Sequence, residues 1–215
     1  MSSFRATELF GGAITVDLPS NFADVSTIRQ VPDNQEVYLD TNGFTSIMFD
    51  ILERVAEPDA ATDEAALKFH FEDITSGSSE TTRFWTSSVV SFNKMPYEKA
   101  PFSIPTQKLT TCSNTPAFSL FATQEATQQQ GSRKPTPDFT GIMLLLVRLV
   151  QRETDVVITV NVPHTPGEYQ KQDIDLSALK LGPLLEAGQN IRQKIMETFE
   201  VKDWSLFVSG EGGPE

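Results

Sequence analysis

The sequence predicts an α+β fold in which helices cover an antiparallel sheet on both faces. Three observations carry this. Two apolar runs, 139–150 and 156–162, are joined by the charged stretch 151–155, the pattern of a β-hairpin. Within the first run, Ile142, Leu144 and Leu146 alternate with Met143, Leu145 and Val147. Both faces of that strand are therefore apolar, and each needs a covering layer. Leu181, Leu184, Leu185, Ile191, Ile195 and Phe199 then trace an amphipathic helical stripe, with Pro183 suited to the first turn.

The remaining elements follow in chain order. Residues 9–19 read as two short strands about Gly11-Gly12, closed by Pro19. The glycine pair is no phosphate loop, since neither a third glycine nor Lys-Ser/Thr follows. Phe22, Val25 and Ile28 recur at spacings of three, so 20–30 is expected to be a short helical turn capped by Ser20 or Asn21. Pro32 biases Val31 away from the helical region, and Asp33 and Asn34 supply turn chemistry. From Gln35 the chain alternates, which points Val37 and Leu39 into a core and displays Glu36, Tyr38 and Asp40.

Residues 45–55 fit either a strand or a helical stripe. Ile47, Phe49 and Ile51 at period two, directly after a Thr-Asn-Gly turn signal, favour the strand. Pro58 to Ile74 predicts a helix capped by Asp59 or Thr62, with Ala66, Phe69, His70 and Asp73 at helical spacing. Residues 82–92 look extended. Residues 93–138 read as a flexible insertion enclosing one strand near 117–122, and 209–215 as a flexible tail, on a single domain spanning 1–215. Trp204 to Val208 is expected to pack against the body.

A chain of 215 residues buries about 70% of its extended surface, enough for a core without staples. One cysteine, Cys112, excludes an internal disulfide and fits a reducing compartment. No run approaches the roughly 18 apolar residues of a membrane span, and residues 1–8 lack the apolar core of a signal peptide. Nucleus or cytoplasm is expected.

Charge is distributed unevenly. Residues 1–80 hold fifteen Asp/Glu against four Lys/Arg, while 81–215 hold fourteen against thirteen. Such a field repels nucleic acid and anionic membrane and steers basic proteins toward the first part. The displayed side of 33–40 is accordingly a candidate docking face for a basic partner, although any half-buried strand also has a polar side.

Enzyme chemistry finds little support. His70 and Glu72 fall about 200° apart on a helix, off any shared face. His164 follows Pro163 in an expected loop, and Cys112 lies in a polar turn. With two histidines and one cysteine, neither a metal nor another cofactor is expected. No Gly-x-Ser-x-Gly nucleophile elbow is present.

Several segments in the right order resemble the Ran guanine-nucleotide release factor (Mog-one) family: Glu8–Val16, Leu18–Tyr38, Phe69–Ile74, Phe139–Ile142 and Leu146–Pro163. The resemblance implies a three-layer α/β/α sandwich on an antiparallel sheet, shared with PsbP-type subunits of photosystem II. It also implies binding of the small GTPase Ran and release of its guanine nucleotide, with an influence on nuclear protein import. The family's acidic Pro-Asp-x-Gln-Glu-Val-Tyr motif falls on Asp33 and Glu36. Tyr38 is then a candidate anchor, and Arg29, Gln35 and Asp40 are neighbouring candidates. A monomer without bound nucleic acid or membrane is expected. The alternative is an acidic interaction module for another basic partner, without release activity.

Overall fold

The structure, a computed structural model, describes residues 3–26, 31–75, 81–95, 115–125, 136–178 and 180–207. Among them the strands are β1 (Phe4–Leu9), β2 (Ile14–Pro19), β3 (Phe22–Asp24), β4 (Gln35–Asp40), β5 (Ser46–Glu53), β6 (Thr81–Val90), β7 (Ala117–Glu125), β8 (Phe139–Leu149), β9 (Thr154–His164) and β10 (Glu200–Val201). The helices are α1 (Asp63–Thr75) and α2 (Gly182–Thr198).

Seven strands pair in the order β3-β4-β5-β9-β8-β7-β6, every neighbour antiparallel. The hairpin β8–β9 sits at its centre, as its two apolar faces require. Ile142, Leu144 and Leu146 face α1, where Ala66, Leu67 and Phe71 complete a cluster with Leu120, Ala122 and Val157. Met143, Leu145 and Val147 face the opposite way, into a larger core with Leu185, Ile191 and Ile195 of α2. That second covering layer also contains a small sheet, β1-β2-β10, which contributes Leu9, Ile14, Val16 and Leu18. Helix α2 lies close on the large sheet because Gly188 carries no side chain; a Cβ there would meet Val162 Cγ2 at 2.7 Å. The sandwich is the expected one.

Local differences have physical reasons. Residues 22–24 are a strand rather than a helical turn, with Phe22 opposite Asp40 and Asp24 opposite Tyr38. Three apolar positions at helical spacing are outweighed by pairing to a free sheet edge, and 27–30 lie outside the described residues. Helix α1 starts later than expected, at Asp63, with Thr62 Oγ1 accepting from Ala65 N at 3.1 Å. Its buried stripe is Ala66, Leu67, His70 and Phe71, while Phe69 is exposed. Residues 117–125 form a strand inside the sheet, and most of the expected insertion, including Cys112, lies outside the described residues. His164 ends β9 and is buried, stacked on Phe139 at 4.1 Å, instead of occupying a loop.

Candidate functional site

Strand β4 lies one strand in from the edge of the large sheet, entered through the turn at 32–35. Gln35 N donates to Pro32 O at 3.0 Å. Asn34 braces the turn twice: its Nδ2 donates to Ile51 O, and its O accepts from Ile51 N, each at 2.9 Å. Asp33 sits exposed at this braced corner.

The alternation of β4 runs opposite to expectation. Tyr38 is buried, 4% exposed, with its ring edge-on to Phe49 at 6.3 Å. Leu39 is 37% exposed, and Val37 is half-buried. Glu36, Tyr38 and Asp40 therefore turn toward the layer of the small sheet. A tyrosine can take the inward position because its ring is apolar and its hydroxyl finds a partner. Here the hydroxyl donates to Glu36 Oε2 at 3.3 Å.

Glu36 is consequently half-buried and held from two sides. Its Oε1 accepts from Phe10 N at 2.6 Å, at the start of the tight turn between β1 and β2. Phe10 has φ of +50° in this turn, and its N–H reaches the large sheet through that bond. Burial pushes the Glu36 carboxyl above its ordinary range, against the opposing effect of the Phe10 N–H and Tyr38 hydroxyl, and the charge of Asp24 pushes the same way as burial. The Tyr38 hydroxyl is likewise raised, by burial first and then by the charges of Glu36 and Asp24. Asp24 thus belongs to this electrostatic neighbourhood. Glu8 adjoins it through its backbone, since the Tyr38 hydroxyl lies 3.5 Å from Glu8 O. Neither was foreseen, because no local spacing links positions 8, 24 and 36.

The flanking candidates are engaged. Gln35 Nε2 donates to the buried Asp50 Oδ1 at 2.6 Å. Burial raises the Asp50 carboxyl, opposed by that bond and by His70. Asp40 Oδ1 accepts from Asn21 Nδ2 at 2.7 Å and from Asn42 N at 2.8 Å, closing the β4–β5 loop. Arg29 lies outside the described residues.

A second polar cluster is buried beneath α1. Asp155 is opposite Arg148 in the β8–β9 ladder and accepts from its Nε at 3.0 Å. The same carboxylate meets His70 Nε2 at 2.9 Å and Val55 N at 3.1 Å. Arg148 Nη1 donates to Asp63 Oδ1 at 2.7 Å, and Nη2 donates to Val55 O. Burial alone would raise the Asp155 carboxyl. The hydrogen bonds from His70, Arg148 and Val55 and the guanidinium charge hold it below the ordinary range instead. His70 and Asp155 make a histidine–carboxylate pair, but at 3% and 0% exposure neither can meet a substrate. The cluster clamps α1 to the sheet. Among the described residues no group of three potential ligands could hold a metal, and no helix is long and apolar enough to cross a membrane.

Comparison with known proteins bears on the family and the fold. The model of the Ran-interacting Mog1 protein family matches residues 7–163. The nuclear import protein MOG1 of Saccharomyces cerevisiae is 30% identical, with 95% of this chain and 85% of that protein covered. The human Ran guanine nucleotide release factor is 32% identical over 76% of this chain and 78% of its own. Among solved structures, the yeast Ran-binding protein Mog1p superposes with a TM-score of 0.67 at 27% identity, covering 97% of this chain and all of that one. Cyanobacterial PsbP from Synechocystis superposes with a TM-score of 0.50 at 9% identity over 94% of both chains, a likeness of fold alone. On the span of the family match and the 30% identity to the yeast protein across 95% of its length, this chain belongs to the Ran-interacting Mog1 protein family.

Proposed function

We propose that the chain binds Ran through the corner and strand that carry Asp33 and Glu36, promotes release of the bound guanine nucleotide, and thereby acts in nuclear import, as a monomer working in nucleus and cytoplasm. Family membership supports Ran as the partner, and the names of the yeast and human relatives support import and nucleotide release. One observation carries the choice of site: an exposed carboxylate at 33 on a braced turn, followed by a half-buried carboxylate at 36 that no basic side chain neutralises among the described residues.

A release factor needs no chemistry of its own. It must bind the loosened or empty GTPase better than the loaded one, because only differential affinity moves an equilibrium. Glu36 is suited to this. Burial and Asp24 penalise its charged form, so a cation brought by the partner relieves a penalty already present in the free protein. Asp33 supplies the exposed, steering charge. Tyr38 is a positioning residue, holding Glu36 by its hydroxyl, and Gln35 and Asp40 fix the two ends of the strand.

Titration of Ran with wild type, Asp33→Ala and Glu36→Ala tests the site. Removing one partner of a desolvated charge pair typically costs about 2–5 kcal/mol, whereas a rim charge acts mainly on association rate. Glu36→Ala is expected to weaken binding through dissociation and Asp33→Ala through association. Wild-type affinity in both removes the assignment. Tight binding without faster nucleotide release leaves an acidic module of the simpler kind.

A further inference from the structure

Helix α2, the start of β1 and the β3 edge of the large sheet enclose a groove of about 820 Å³, with Phe4, Phe22, Leu184, Ala187 and Ile191 among its lining. We propose that this groove receives an apolar segment of Ran that carries basic side chains, a second contact beyond Asp33 and Glu36; the inference rests on the Ran reading above.

The apolar floor follows from where the two sheets end. Phe4 opens the edge strand of the small sheet, and Phe22 opens the edge strand of the large one. Helix α2 runs along the gap between them, with Ala187 exposed and Phe4 and Leu184 half-buried. Phe44, next to the wall residue Thr45, leaves 56% of its surface exposed and extends the apolar area at the β4–β5 loop.

Charge sets the kind of occupant. The groove holds three carboxylates, Asp40, Glu186 and Glu197, against one ammonium, Lys194, which pairs with Glu197 at 3.0 Å. Asp40 and Glu186 form no ion pair among the described residues, and Asp40 accepts from the amide groups of Asn21 and Asn42. A smaller pocket of about 220 Å³ shares Pro183 and Leu184 with the groove and adds Glu168 and Asp173 without a cation. An acidic segment is repelled here, and a wholly apolar one strips water from carboxylates without replacing it. A segment with both apolar and basic side chains meets neither cost.

Position ties the groove to the proposed site. Glu36, Tyr38 and Asp40 alternate onto one face of β4, and four residues of strand span about 13 Å. A basic surface docked on Asp33 and Glu36 therefore reaches Asp40 and the groove behind it. Many basic proteins could satisfy two carboxylates. Apolar side chains at a fixed offset from the basic patch narrow the choice.

Ran affinity is measured for the full chain as wild type, Asp33→Ala, Ala187→Arg, Glu186→Lys and Glu72→Lys, each checked for folding by its unfolding midpoint. Ala187 and Glu186 are exposed on α2, whereas Glu72 is exposed on α1, across the sheet. Ala187→Arg puts a long cation into the groove and is expected to weaken binding at least about tenfold. Glu186→Lys is expected to weaken it about tenfold, and Glu72→Lys, with the same change in net charge, less than about twofold. Should Ala187→Arg fail to fold, Glu186→Lys against Glu72→Lys decides. Wild-type affinity in folded Ala187→Arg, or equal losses in Glu186→Lys and Glu72→Lys, overturns the groove; with Asp33→Ala still weakened, the Ran reading stands. Absence of binding by the wild type overturns both.

Discussion

Glu36 Oε1 accepts a 2.6 Å hydrogen bond from the backbone N–H of Phe10, 26 residues earlier in the chain. This bond joins the turn of the small sheet to an inner strand of the large one, at the centre of the proposed binding site. Binding and architecture therefore share one carboxylate, and variants must be chosen to separate the two.

Glu36→Ala leaves the Phe10 N–H half-buried without its acceptor and is expected to lower unfolding free energy by about 1–3 kcal/mol. Glu36→Gln keeps an amide oxygen for the same N–H and is expected to stay within about 1 kcal/mol of wild type. Denaturant unfolding of both checks the difference. Because Glu36→Gln lacks the charge, it still loses Ran affinity.

The raised Glu36 carboxyl makes two pH dependences, with the sign set by which state holds the proton. The folded protein binds that proton more tightly than the unfolded chain, so this group favours folding below its ordinary range and loses that contribution as pH rises through its folded value. The stability deficit of Glu36→Gln should accordingly shrink as pH rises through that window. Ran binding favours the charged form, so affinity should fall as pH drops through the same window. Unfolding and titration series from pH 4 upward, about the ordinary carboxylate value, check both. Parallel profiles for wild type and Glu36→Gln would remove the linkage.

The inward turn of Tyr38 separates neighbouring positions. Tyr38→Ala empties a buried aromatic site and is expected to cost about 3–5 kcal/mol. Tyr38→Phe loses only the hydroxyl, with its contacts to Glu36 Oε2 and Glu8 O, about 0.5–1.5 kcal/mol. Leu39→Ser, one residue on and outward-facing, should stay within about 0.5 kcal/mol. Thermal or denaturant unfolding of the three ranks them.

Arg148→Met tests the clamp beneath α1. It leaves the Asp155 carboxylate buried without its guanidinium, and breaking a buried pair from one side costs about 3–5 kcal/mol. Urea unfolding should show that loss. Amide exchange should show α1 opening earlier than the central strands.

The central sheet was legible because β8 and β9 carry apolar residues on both faces, a pattern that leaves few alternatives. Arg148 is the one charged residue in the run 139–150. The structure makes it a buried member of it, neutralised by Asp155 directly across the hairpin, and the opposite charges flanking the hairpin tip were the available signal. Strand β3 has only three residues, too few for period two to compete with a spacing of three. Counting Tyr38 as polar reversed β4, since tyrosine carries an apolar ring and a polar tip on one side chain. The contact of Glu36 with Phe10 had no signature, because it depends on how two sheets stack and not on any local run.

Release of labelled GDP and GTP from Ran, followed with and without this chain, tests the central claim most directly. The wild type should speed release in proportion to its concentration until Ran is saturated, and a folded Asp33→Ala/Glu36→Gln double variant should not. Unaltered release at saturating wild-type protein, or full activity in the double variant, would contradict the account.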